Sequence, residues 1–239
     1  MAFETDKRIF GGTAATRAEL VDQGLRQHML RVYNYMASGL ALTGIVAYVV
    51  ASSPAMMNTL FGTPLAWVVM LAPLGFVLFL SFGLNRMSFF AAQATFWAFA
   101  AVMGLSMATI FLAYTGNSVA RVFFITGGAF AATSLWGYTT KRDLSSMGSF
   151  LFMGLIGIII ASLVNIFLHS SALQFVVSVI GVIVFTGLTA YDTQNIKSEY
   201  AEHYDAETQG KLAISGALRL YLDFINLFMM LLQLLGNRR

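Results

Sequence analysis

The 239 residues are 58% hydrophobic and only 10% charged, with a mean hydropathy of +0.73. A soluble domain carries about 25% charged residues, so the composition selects a membrane protein. The net charge of +3, without any Lys/Arg run or basic, aromatic-interleaved stripe, is too small to argue for nucleic acid, and no such partner is expected. With no cysteine there is no disulfide, thiolate metal site or cysteine nucleophile.

Residues 1–29 read as a polar, mixed-charge tail, and residues 30–239 as a single membrane domain. The tail lacks the basic, apolar and small-residue succession of a cleavable signal peptide, so the first helix is expected to insert uncleaved. Residues 32–85, 87–120, 122–140 and 144–191 contain no Lys, Arg, Asp or Glu. A span needs about 20 apolar residues, so turn signals must divide these runs.

Helix one is expected over 30–52, ended by Ser52-Ser53-Pro54. Helix two follows over 64–84, before Asn85-Arg86. Helix three covers 88–113 and stops at the turn Tyr114-Thr115-Gly116-Asn117. Helix four covers 118–138, closed by Thr140-Lys141-Arg142-Asp143. Helices five and six take 146–168 and 172–196, and a polar loop over 197–211 precedes helix seven at 213–236. The runs lack the alternation of an outer-membrane barrel, so strands are not expected. No internal repeat of the inverted-transporter kind is present. The expected fold is an all-α integral membrane bundle of seven spans.

Orientation follows from basic residues in the loops. With the N-terminus inside, Lys7, Arg8, Arg17, Arg26, Arg31, Arg86, Lys141, Arg142, Lys197, Lys211 and Arg219 share its side. Only Arg121, Arg238 and Arg239 fall on the other. The N-terminus is therefore expected in the cytoplasm and the C-terminus outside.

Two carboxylates break the apolar pattern: Asp192 in TGLTAYDTQNI and Asp223 in LYLDFINLF. An Asp at membrane depth costs about 2.5–3.5 kcal/mol even on the lenient insertion scale, and such groups face a bundle interior or a water-filled cavity. Helix two exits at Arg86, helix six exits just after Asp192, and helix seven enters before Asp223. Spacing thus permits an Arg–Asp–Asp cluster near the cytoplasmic face, although periodicity does not show that these helices touch. Two carboxylates that meet would share one proton, giving a proton-operated latch. Deprotonated, Asp192 and Asp223 would offer the hard oxygens that calcium prefers.

Each residue also has a plainer reading. Asp223 can be a satisfied structural acid, and Asp192 can sit at a helix end in the interface. Arg86 alone reads as a positive-inside anchor. Arg219, four residues before Asp223, can neutralise it as an i,i+4 pair. Arg121 and His169 look like interface residues, and Gln93, Asn165 and Asn226 like interhelical hydrogen-bonding groups.

LYLDFINLF followed by MMLLQLLG, together with TGLTAYDTQNI, closely resembles the signature of the Bax inhibitor family, the transmembrane Bax-inhibitor-motif proteins. YNYMASGLALTGIVAY at 33–48 and TKRDLSSMGSFLFMGLIGIIIASLVNIFL at 140–168 resemble its bacterial branch. The resemblance implies a seven-helix bundle with the last helix enclosed by the others, and a pH-sensitive calcium leak channel without a cofactor. It also implies that Asp192 and Asp223 form the pH sensor, with Arg86 as the second-helix arginine that pairs with them in the closed state.

Two departures stand out. Arg219 precedes the LYLD motif, where the family pattern has no charge, and is a candidate modulator of the sensor. The chain closes on Asn237-Arg238-Arg239 without the Lys-rich tail of animal relatives, so roles tied to that tail are not expected to transfer. Anti-apoptotic action is likewise a eukaryotic role.

Three rival functions remain open at this level. An intramembrane aspartyl protease would also use Tyr191-Asp192 with Asp223, but the Gly-x-Gly context of the second Asp and a following Pro-Ala-Leu are both missing. A membrane partner or modulator of a membrane-anchored protease would be indifferent to the two aspartates. A proton-coupled calcium exchanger would use the same pair. The expectation is a non-enzymatic protein of a bacterial inner membrane whose partners are the lipid bilayer, calcium ions and protons.

Overall fold

The computed structural model describes residues 2–239, with side chains described from Val21 onward. The expected polar character of the first twenty residues, including the charges of Lys7, Arg8 and Arg17, lies outside the described side chains. Helix α1 spans Ala2–Ala51, and its apolar, membrane-length part is Val21–Ala51. His28 and Met29, assigned to the tail from sequence, are buried there.

A short helix α2, Pro54–Phe61, follows and was not expected. Pro54 suits its first turn because a proline lacks an N–H that would be orphaned there, and the Ser53 side chain accepts from the Met56 N–H. Helix α3, Leu65–Gly83, runs into a 3-10 turn over Leu84–Arg86. Helix α4, Phe89–Met107, is capped by Ser88, whose Oγ accepts from Ala91 N–H. A one-turn helix α5, Ile110–Ala113, completes the third span.

Helices α6 (Gly116–Thr139), α7 (Ser145–Leu168), α8 (Ser171–Glu199) and α9 (Ala206–Leu235) complete the fold. Seven stretches are long and apolar enough to cross a membrane, as the sequence predicts. The loop between α8 and α9 is shorter than expected. Helix α8 runs on to Glu199 and α9 begins at Ala206, so most of the 197–211 segment is helical. Lys197, Glu199, Glu207 and Lys211 lie on extended helix ends, and Glu202 and Asp205 stay in the connection.

Outward faces carry Trp67, Phe79, Phe82, Phe124, Phe150 and Phe167, all exposed. A water-soluble surface does not tolerate apolar area on this scale. Hydrocarbon does, and helices satisfy their own backbone groups within it. The chain is an all-α integral membrane bundle.

Helix α9 is the axis of that bundle and packs against α1, α4, α6 and α8. Leu220, Tyr221, Phe224, Leu227, Phe228 and Leu232 are all buried on it. The fully buried Tyr221 ring stands edge-on to Phe96 and Phe99 of α4. Its hydroxyl lies 2.6 Å from Thr43 Oγ1 of α1, which itself donates to Ala100 O at 2.8 Å. One polar chain therefore ties α1, α4 and α9 together inside an apolar core. Tyr221→Phe should keep the ring packing and lose the hydroxyl contact. The expected cost is about 1 kcal/mol, measured as a lowered thermal midpoint in detergent.

The opposite end of α9 is pinned by its tail. Thr115 N–H donates to Asn237 O, Asn237 N–H donates to Ser118 Oγ, and Arg239 N–H donates to Ala113 O. Arg121, read from sequence as an interface residue, reaches the Leu235 carbonyl at 3.3 Å.

Candidate functional site

Helices α8 and α9 pack along each other, and α7 packs on the far side of α8. Between them lies a cavity of about 480 Å³. Gly148 and Ser149 of α7 line it, with Tyr191 and Asp192 of α8 and Arg219, Asp223 and Asn226 of α9. Residues 219, 223 and 226 recur at helical spacing, so they form one face of α9. Phe152, Leu155, Phe185, Leu188 and Leu222 supply the apolar remainder.

The sequence-predicted aspartates meet here. Their carboxyls are within hydrogen-bonding reach of one another across the α8–α9 interface. Asp223 is buried, Asp192 is half-buried, and Asp223 Oδ2 has no protein hydrogen-bond partner. Such an orphaned buried oxygen is costly unless a proton, a water or a cation engages it. Asp223 is a structurally satisfied acid only where one of these engages that oxygen.

The arginines divide differently from the sequence expectation. Arg219 lines the cavity and lies close enough to act electrostatically on both carboxylates. Its guanidinium makes an ion pair with Glu199, at the end of α8, rather than with Asp223. Its Nε is buried without a partner. The i,i+4 neutralisation of Asp223 by Arg219 is thus replaced by an interhelical pair.

Arg86 is exposed at the end of its 3-10 turn, outside the cavity. The adjoining Met87 carbonyl accepts from Lys211 Nζ at 3.2 Å, which places this turn beside the start of α9. Asp223 lies twelve residues further along α9, about 18 Å of helix at 1.5 Å per residue. Arg86 neither lines the cavity nor is among the charges that act on either carboxylate, so the structure does not bring it to the pair.

Glu199 is the site residue that sequence reasoning missed. It follows Asp192 by seven residues, on the same face of a continuous helix. The signal was present, but a helix ending at 196 left Glu199 in a solvated loop. Asn226 was read as an interhelical hydrogen-bonding group and instead lines the cavity. Among the described residues no group of three or more His, Asp or Glu side chains is arranged to hold a metal ion.

The register of α8 is fixed by polar contacts on its other side. Ser134 Oγ of α6 lies 2.8 Å from Thr193 Oγ1, next to Asp192, and 2.6 Å from the Tyr33 hydroxyl of α1. Gln194 accepts from Leu144 N–H and donates to Arg142 O, both at 2.8 Å. These bonds hold the Asp192 backbone in place while its side chain faces α9.

Residues 25–239 match the family described as "Inhibitor of apoptosis-promoting Bax1". An uncharacterised protein of Rickettsia prowazekii is 51% identical over 227 residues, covering 95% of this chain and 96% of its own. Inner membrane protein YbhL of Escherichia coli is 48% identical over 219 residues, covering 90% and 94%. An uncharacterised protein of Caulobacter vibrioides is 46% identical over 236 residues, covering 94% of each. With a family match running from the first span to the last residue and relatives this similar along almost their whole length, the chain belongs to the Bax inhibitor family.

Proposed function

We propose that this protein is a pH-gated calcium leak path in a bacterial inner membrane, the location named for its Escherichia coli relative. The observation that carries the reading is the meeting of Asp192 and Asp223 at hydrogen-bonding range inside an apolar interior. With one proton between them, the carboxyls form a hydrogen bond that draws α8 against α9. Loss of that proton leaves two anions in contact in a low-dielectric setting, where repulsion is strong. The helices then separate on the cavity side, while the tail contacts hold the other end of α9.

Calcium takes six to eight oxygen ligands. Two carboxylates, the Asn226 amide and the Ser149 hydroxyl reach the lower limit of that range only if both carboxylates bind through both oxygens, so water completes the shell. A partial set suits an ion in transit better than a resident one, because conduction requires that the ion also leave.

The test is calcium flux into proteoliposomes between about pH 5 and pH 8. Flux is expected to rise with pH in the native protein, and Asp192→Asn is expected to abolish the rise. Flux no greater than in empty liposomes at every pH would end the channel reading.

The arginine contribution is separable. Arg219→Gln removes the cation that compensates the two anions, so the onset of flux should move to higher pH, by about one pH unit. Arg86→Gln should leave the onset unchanged. The reverse ranking of the two variants would return the role to Arg86.

A further inference from the structure

A second, larger cavity of about 770 Å³ lies on the other side of α9, between α1 and α6. Arg26, Tyr33 and Leu40 of α1 face Tyr138 and Phe123 of α6 across it, and Phe224 of α9 forms the floor. Among the described residues, α1 and α6 each pack extensively on α9 but not on one another. What joins them is the Tyr33–Ser134 hydrogen bond. The space between is a groove that opens sideways toward lipid.

Its dimensions and polarity are both informative. From Arg26 to Leu40 is fourteen residues of helix, or about 21 Å, enough to cross one leaflet of a hydrocarbon core about 30 Å thick. The walls are apolar apart from the Tyr33–Ser134 hydrogen bond midway along them, and the charged groups gather at one end. There Arg26 is exposed, and among the described residues no carboxylate is ion-paired to it.

The same end of α6 leads into exposed Lys141 and Arg142. Lys197 donates to Tyr138 O at 2.9 Å and sits 5.0 Å from that ring's centroid, bracing the wall. Two exposed acids lie near this collar. Asp22 is one turn before Arg26, and Asp143 accepts from Ser145 N–H, with its carboxyl held below the usual range by the Ser145 hydroxyl and N–H.

We infer that this groove is a binding site for an anionic glycerophospholipid, with one acyl chain along α1 and α6 and the headgroup phosphate on Arg26. A basic pocket between transmembrane helices at the positively charged face of a bundle is suited to such headgroups. The apolar length matches one acyl chain, and the charge selects the anionic class over the zwitterionic. The site is independent of the aspartate pair and would stand if the channel reading failed.

The experiment is native mass spectrometry of the full-length protein in neutral detergent, with equal phosphatidylglycerol and phosphatidylcholine of identical acyl chains. One retained lipid per chain is expected, with phosphatidylglycerol preferred about fivefold, the weight of one basic side chain at the membrane surface. Arg26→Gln, an exposed change that leaves the groove intact, should bring the preference to about one. Gly127→Phe fills the groove from a position where a Cβ meets no atom within 4 Å. It should reduce retention of both lipids several-fold with an unchanged melting midpoint. Equal retention of the two lipids by the native protein would overturn the assignment, as would a preference that survives Arg26→Gln. So would a dimer that Gly127→Phe dissolves, since the groove would then hold a second copy.

Discussion

Asp223→Asn is expected to convert a calcium flux that climbs about tenfold or more between about pH 5 and pH 8 into one that varies less than about twofold. The side chain keeps its shape and its place on α9. It stays neutral at every pH and can still donate a hydrogen bond to Asp192. It therefore imitates the protonated pair, and the flat response should lie at the low, closed level. Because the amide preserves volume and a hydrogen bond, the thermal midpoint should not fall, which separates lost gating from lost fold. A variant that remained as pH-responsive as the native protein would remove Asp223 from the sensor.

The second large effect concerns the α6–α8 contact that sets the register of Asp192. Gly137 is buried, and a Cβ there would collide with the Ala190 carbonyl oxygen and lie 2.8 Å from its Cα. Those are backbone atoms, so no rotamer change relieves the clash. Small residues at helix crossings in membranes serve this close approach. Gly137→Ala should force α6 and α8 apart at a cost of about 2–3 kcal/mol. It should also disturb the Ser134–Thr193 hydrogen bond and shift Asp192, two residues beyond Ala190. Gly127→Ala on the same helix has open space at its Cβ and should be neutral or slightly stabilising. Denaturant midpoints of the two variants in matched detergent would measure the difference. Equal midpoints would mean that α6 and α8 adjust without strain.

The functional pair and its surroundings were legible to different degrees. Asp192 and Asp223 stand out in any reading because long uncharged runs isolate them, and ionised groups at such depth demand an explanation. Glu199 did not stand out because its role depends on where α8 ends, and helix ends are the least certain feature of a sequence. Arg86 and Arg219 were both candidates at the same face. Choosing between them required knowing that the 3-10 turn after α3 sits beside Lys211 while Arg219 faces into the cavity.

The sequence by itself determined the membrane class, the seven spans, the family and the identity of the two intramembrane acids. The reason is physical: span length and charge exclusion are imposed by the bilayer, whatever the helices pack against. Only the tertiary structure decided that α9 is the axis, that Arg219 pairs with Glu199, and that a groove separates α1 from α6. In a helix that is apolar on every side, hydrophobic periodicity cannot separate the lipid-facing side from the core. Which side chains meet is then set by small-residue contacts and buried hydrogen bonds between helices, such as Gly137 against Ala190 and Tyr221 against Thr43.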